Sequence, residues 1–366
     1  MEDGTEIPAT IIGQIRSQYH EDTMSQHLKQ TNTDIFLIVL DTFMLHGHPE
    51  NPLAGWFLKI DTSPAKTIFY YPSDGGQGMP VGCDLILRKC DLAVAYSKFA
   101  QKQVKDYYNL DTPQIPLGTE TNRFYPFTEQ QKNELKAKWG FQNKYIIGSV
   151  FRNQPRKFAD RMLKTFALCK DKLPNAIMLL HCDPFDPAQS FNMFNMIKRY
   201  NLENRVFFTG MNAYNSFDWN KMNEVYNLFD CFFLTTSGEG WGIPFVEAMA
   251  TECPVLATDY TTVQEIIKDN KAGLGINLSG VEENDLFWKN QKEYDIKTLD
   301  GTLTGSWEVD RGISSITDGA KKLVYLYENP EIRKEMGKNG RKAVLEQYDQ
   351  KIVNKLWEDT FEKLLK

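Results

Sequence analysis

Four side chains in this sequence have the types and spacing to do chemistry together. Glu239 and Glu247 stand with seven residues between them in TTSGEGWGIPFVEAMATECPVLATD (235–259), and Arg152 and Lys157 stand five positions apart in GSVFRNQPRK (148–157). Carboxylates accept hydrogen bonds well from sugar hydroxyls and are poor partners for phosphate; basic side chains and the free amides of a helix start are the reverse. A site holding both sets suits a molecule that is part sugar and part phosphate, as a nucleotide sugar is. When the bond between sugar and diphosphate breaks, negative charge builds on the leaving phosphate, and fixed cations lower that barrier without a metal ion.

The local sequence indicates how these groups are carried. A strand ends at Thr235 and Thr236, a loop follows in which Gly238, Gly240 and Gly242 alternate with Glu239 and Trp241, and Pro244 opens a helix. Glycine lets a backbone approach a ligand closely, and proline suits a helix start, where its missing N–H leaves no bond unmade. Glu239 is then a loop residue and Glu247 lies about one turn into the helix, so both can face one crevice. Arg152 follows the strand YIIGSVF (145–151), with Lys157 across a turn from it; Arg156, beside Lys157, is an alternative contact. Taken singly these residues have plainer readings: Glu247 complements a helix dipole, Glu239 is a loop charge and the basic residues are solvated surface. Their convergence on one pattern of glycines, proline and charge favours a site.

Short β-rich runs alternate with helical stretches from about residue 34, the pattern of parallel sheets covered by helices and hence of an α/β fold. The first half offers strands at 34–44, 66–72, 91–97 and 112–118 and helices around 20–30, 79–89 and 98–108. Turn-rich GTETNRFYPFT (118–128) and the polar helix EQQKNELKAKWGF then mark a boundary. The second half offers strands at 145–151, 176–182, 205–209, 231–236 and 254–258, with helices at 158–172, 188–201, 219–229, 244–251 and 261–268. Five parallel strands with crossover helices make a doubly wound unit whose ligand crevice lies at the carboxyl ends of its strands. Residues 277–309 break the alternation and read as a surface excursion, after which helices run over 311–328, 330–341 and 344–365. The organisation expected is a first domain over 1–118, a linker and helix over 119–144, a second domain over 145–345 and a final helix over 346–366.

Composition removes several classes of function. Lys and Arg total 42 against 48 acidic residues, a net charge of -6, so no global basic field exists to hold nucleic acid. The six cysteines include no CxxC pair and read as buried thiols of a reducing compartment, neither zinc ligands nor bridges. No apolar run approaches the ~18–20 residues needed to span a bilayer, and the opening MEDGTEIPATIIGQ lacks the basic and apolar regions of a signal peptide. A cytoplasmic location is the expectation, with peripheral membrane contact left open. A dinucleotide-dependent oxidoreductase is disfavoured, because no GxGxxG follows an early strand with an acidic residue about twenty positions on.

The stretch Glu239–Val255, EGWGIPFVEAMATECPV, resembles the signature EGFGLPxxEAMAxGxPV of the retaining glycosyltransferases of family four, with Trp241 where phenylalanine is commoner and Glu252 where glycine is. The resemblance extends less tightly over roughly 145–366, including ENPEIRKEMGKNGRKAVLEQYD. It implies the GT-B fold, two facing Rossmann-like domains with parallel sheets, and a last helix that crosses back to the first domain. It implies that Glu239 contacts the donor sugar and Glu247 holds the ribose hydroxyls. The backbone from Gly240 and Trp241 through Gly242, Ile243 and Pro244 then reaches sugar and diphosphate. Arg152 and Lys157 stabilise the leaving group, and Gly210, Met211 and Asn212, after the strand RVFFT, lie near the base. His181 has no role in this reading. Family members open with a strand and a glycine-rich loop that are not recognisable before DIFLIVLDTFM, so the first domain is expected to be shortened. A family histidine of that domain faces the reacting sugar. The matching strand end here reads YYPSDGG (70–76), making Asp74 the acceptor-side candidate; His46 and His48 are similarly placed.

The expected activity is transfer of a hexose-type sugar from a nucleoside-diphosphate sugar to a hydroxyl of a glycan, lipid or other acceptor. Anomeric configuration would be retained, with no cofactor, no metal and no nucleic-acid partner. The alternative is a nucleotide-sugar-binding protein whose incomplete acceptor domain impairs catalysis.

Overall fold

The computed structural model describes residues 23–41, 45, 55–76, 82–186, 191–212, 215–279 and 311–366. His46, His48 and nearly all of the 277–309 excursion lie outside these residues.

Among the described residues the first unit holds three parallel strands, β1 (Ile35–Val39), β2 (Lys66–Tyr71) and β3 (Leu92–Ala95), in the order β1-β2-β3. Alternation along the central strand decides its packing, since successive side chains of a strand point to opposite faces. Phe69 and Tyr71 face one cluster with Phe57 and Ile86, while Ile68 and Tyr70 face another with Val94, Ile115 and Val353. Val353 belongs to the last helix, Gln350–Leu365, whose Trp357 stands edge-on to Tyr70 with ring centroids 4.9 Å apart. The C-terminal end of the chain therefore completes the core of the N-terminal unit.

The second unit holds six parallel strands: β4 (Tyr145–Val150), β5 (Ala176–His181), β6 (Val206–Phe208), β7 (Cys231–Leu234), β8 (Val255–Thr258) and β9 (Gly273–Ile276). Their order, β6-β5-β4-β7-β8-β9, reverses direction between β4 and β7. That is the doubly wound order whose crevice opens where neighbouring crossovers leave to opposite faces, beyond the carboxyl ends of the two central strands. The segments that leave β4 and β7 are those that carry Lys157 and Glu239. The two units are joined by paired chain crossings: Thr119 donates its N–H to Tyr348 O at 2.8 Å and accepts from Gln350 N at 3.0 Å.

Several sequence expectations need correction. TPQIPLG (112–118) forms no strand; it makes a single bridge from Gln114 to Ala95, because Pro113 and Pro116 remove the donors a ladder would need. Among the described residues the second sheet has six strands, not five; β9, sequence GLGI, escapes the sequence reading because it carries two glycines and little strand propensity. Among the described residues the first strand is regular over Ile35–Val39 and the first helix over Met24–Gln30; residues 20–22 and 42–44 of the expected spans lie outside them. The helix expected over 261–268 is a single π-helical stretch, Gln264–Lys268. The final helical run breaks at Asp349, whose carboxylate accepts from Lys351 N and caps the last helix.

Candidate active site in the cleft between the sheets

Hydrogen bonds to main-chain carbonyls tie the loops after β4 and β7 together. Ser237 N donates to Arg156 O at 2.7 Å, and Thr235 Oγ1 donates to Phe158 O at 2.8 Å. Lys157 lies in a single 3-10 turn, Pro155–Lys157, that ends with Phe158 at φ +47°. This geometry delivers the Lys157 ammonium to Glu239 Oε1, while Arg156 Nη1 donates to Glu239 Oε2 at 3.1 Å and to Gly238 O at 3.0 Å. Glu239 is buried, as is Lys157. Burial alone would raise the Glu239 carboxyl, but Lys157 and Arg156 overcome it and hold the group at about 2. The ammonium of Lys157 is pulled down by burial, against the support of Glu239.

Glu247 has a different environment. It sits on the helix Ile243–Ala250 and accepts a hydrogen bond from Tyr226 Oη, carried by the helix Trp219–Leu228. No ion pair reaches it among the described residues. Burial pushes its carboxyl up to about 7, with the Tyr226 bond opposing. At the start of its helix Gly242 adopts φ +101°, a left-handed conformation that glycine takes without strain. The amides of Gly242 and Ile243 donate to no acceptor among the described residues, as expected of helix-start groups left for a ligand.

The opposite wall comes from the first unit. The segment Pro72–Gly76 after β2 packs directly on the glycine loop: a side chain at position 238 would place its Cβ 1.9 Å from Asp74 O, and one at 240 would stand 2.7 Å from Pro72 Cβ. Gly76 N donates to Tyr260 Oη at 2.7 Å. Asp74 is gripped by Arg311, whose Nη1 lies 3.0 Å from Oδ2 and 2.9 Å from the Asp74 carbonyl oxygen. Asp41, just past β1, opens to solvent in the same cleft; partial enclosure and Asp74 raise its carboxyl, with Arg156 and Arg311 opposing. The cleft thus gathers Asp41 and Asp74 from one unit and Arg156, Lys157, Glu239 and Arg311 from the other.

The residues singled out from the sequence are not all brought together. Arg152 is 57% exposed and bound in bidentate fashion by Asp186, at 2.7 and 3.1 Å; the place beside Glu239 is taken by Arg156. Trp241 turns its indole into the core, edge-on to Tyr348 at 5.4 Å, and offers a ligand only its backbone. Ile243 is exposed at the helix start, with Pro244 next to it. Gly210, at φ +84°, is exposed and continues into Met211 and Asn212, whose carbonyl accepts from Asn215 N at 3.2 Å. His181 at the end of β5 is buried against Phe217, bonded to Thr209, and pushed down to about 4 by burial. Arg311, Asp41 and Tyr226 were missed. Each stands in unremarkable local sequence, and only the fold brings it to the cleft.

Two Rossmann-like units facing one another across a charged cleft define the GT-B class. The fold is shared with solved structures of sucrose-phosphate synthase from Thermosynechococcus elongatus (17% identity, TM-score 0.68, covering 94% of this chain and 77% of that one). It is shared too with Anabaena HepE in complex with UDP-glucose (16% identity, TM-score 0.61, covering 82% and 73%). Residues 131–282 match the family Glycosyl transferases group 1. Among curated relatives it is 24% identical over 182 residues to mannosylfructose-phosphate synthase of Agrobacterium fabrum, an alignment taking in 48% of this chain and 39% of that one. The chain spans about half, or less, of the length of the first curated relatives that it matches. Among the described residues no helix is long and apolar enough to cross a membrane.

Proposed function

We propose that the protein transfers a hexose-type sugar from a nucleoside-diphosphate sugar to an acceptor hydroxyl, with retention of configuration and without a metal. The observation that carries this reading is the ionised Glu239 buried between Lys157 and Arg156 where the second sheet reverses its strand order. An incoming diphosphate competes with Glu239 for the two cations and for the free amides of Gly242 and Ile243. The carboxylate thereby turns to the sugar hydroxyls, and Glu247 takes the ribose diol. As the sugar–phosphate bond lengthens, Lys157 and Arg156 bear the charge that develops on the leaving oxygen. Arg152 joins them by exchanging Asp186 for phosphate. The acceptor hydroxyl enters from the Asp41 and Asp74 side and attacks the face that the diphosphate leaves. The HepE complexes with UDP and with UDP-glucose support a nucleoside-diphosphate sugar as donor.

A panel of UDP-, GDP- and ADP-sugars, followed by thermal shift and by release of nucleoside diphosphate, tests the proposal. One donor class should both stabilise the protein and turn over. Absence of binding across the panel overturns the reading, and binding without turnover replaces it with the nucleotide-sugar-binding alternative.

A further inference from the structure

Arg311 is separated from every motif that the sequence displays, yet it makes a paired polar contact between the two units. Its guanidinium chelates one residue twice, reaching the Asp74 carboxylate at 3.0 Å and the Asp74 carbonyl at 2.9 Å. The main chain that carries it is fixed to the second unit at several points. Gly312 N donates to Ser237 O at 2.8 Å, Ser279 N to Ile313 O at 2.6 Å and Ser315 N to Asn277 O at 2.8 Å. Arg161 donates through Nε to Ser314 O at 2.8 Å. Arg311 is therefore mounted on the same loop, Ser237–Gly240, that presents Glu239. What it grips is the opposite wall, where Asp74 O already lies too close to Gly238 for any side chain to intervene.

We propose that Arg311 is a positioning residue: by chelating Asp74 it fixes the segment Pro72–Gly76 of the first unit over the Glu239 loop, and so sets the distance between the acceptor side and the donor sugar. The proposal deepens the transferase reading and rests on it. The geometry favours positioning, because both contacts of Arg311 Nη1 go to Asp74, a residue of the far wall. Two further contacts act in the same place. Gly76 N is held by Tyr260 Oη, and Asp41, whose carboxyl feels Asp74, Arg156 and Arg311, faces the same grip. Misplacing reacting groups by about an ångström costs on the order of a hundredfold in rate, so a rigid wall is worth having here.

The test pairs a kinetic readout with one that needs no substrate. R311A, R311K, D74N and the R311A/D74N double variant of the full chain are compared with wild type. Nucleoside-diphosphate release is followed from UDP-glucose, GDP-mannose and ADP-glucose, and amide hydrogen exchange is followed in peptides covering 66–76. R311A should lower kcat roughly 10- to 100-fold with the donor KM within about twofold, since uniform donor binding is untouched. It should also speed exchange at 72–76 while leaving the peptides of β7 protected. R311K should recover part of both effects. The double variant should be no worse than R311A alone, because residues acting through one contact are not additive. The inference is overturned if exchange at 72–76 is unchanged in R311A, if donor KM rises while exchange stays at the wild-type rate, or if the R311A and D74N effects multiply. Silence of the wild-type protein toward all three donors would sink the transferase reading, and the exchange experiment would still decide whether Arg311 holds the wall.

Discussion

Two glutamates on adjacent elements of one loop and helix have opposite electrostatic fates. Glu239 is enclosed with Lys157 and Arg156 and is held near 2; Glu247 is enclosed with a phenol and no cation, and rises to about 7. Burial penalises both charges, so the difference is made by what shares the burial. Two cations deliver enough Coulombic support to keep Glu239 ionised at any physiological pH, whereas one neutral hydrogen bond from Tyr226 leaves Glu247 balanced between its two forms. In the proposed reaction this division is apt. A group that orients a sugar carrying partial positive charge should be negative throughout, while one that only accepts from ribose hydroxyls can take up its charge as the ligand arrives.

The sharpest way to break the comparison is E239Q. It strands Lys157 and Arg156 in a buried site without a counter-charge, so a loss of roughly 3–5 kcal/mol in denaturant unfolding is expected together with loss of turnover. A wild-type midpoint would show that the pair is not a buried one. K157A comes next, with kcat falling by about 10²–10³ in donor-turnover assays and a smaller change in stability, because Arg156 still compensates Glu239. R156A is expected to cost more in kcat than R152A, since Arg152 must first give up Asp186; the reverse ranking would exchange their roles.

For E247Q the two readouts should separate. Donor KM should rise about tenfold, as for loss of a charge-assisted bond, while stability improves in alkaline conditions. The sign follows from proton uptake. The folded carboxyl, near 7, keeps its proton where the unfolded one, near 4.5, has lost it, so wild-type stability falls as pH rises from about 4.5 to 7 and stays low above. Relative to wild type, E247Q should gain roughly 3 kcal/mol at pH 8 and less than about 1 at pH 5 in parallel denaturation curves. Glu239 contributes in the opposite sense: its stabilisation is complete above about 4.5 and disappears as pH falls through about 2. Y226F is the mildest change. Without the phenol the Glu247 carboxyl should rise further, moving the pH at which donor affinity is half-maximal upward by less than about one unit with kcat little altered.

Much of this was legible in the chain itself. The glycine-rich turn into Pro244, the flanking glutamates and the basic stretch at the end of β4 are local signals, because a close backbone approach and a helix start write themselves into consecutive residues. The alternation of strand and helix likewise marked both sheets, apart from β9, whose glycines hide it, and from 112–118, which reads as a strand but makes only a single bridge. Which basic residue meets Glu239 was not decidable, since a 3-10 turn that tightens at Phe158 determines whether position 152 or 156 points inward. Arg311, Asp41 and Tyr226 were invisible for a different reason: nothing in their neighbours distinguishes them, and their importance comes from contacts made by residues far along the chain. Trp241 shows the converse, a motif residue whose side chain serves the core.

The twin crossings at Thr119 and Gln350 have a mechanical consequence. Bonded to one another, they tie the two units as a binding ties the covers of a book, and would serve as the hinge of any opening between them. The grip on Asp74 and the seat of Glu265 on the amides of Lys98 and Phe99 are clasps that any such opening has to undo. In the proposed reaction, donor entry and product release would therefore be paced by the fore-edge of the book, while its binding stays intact.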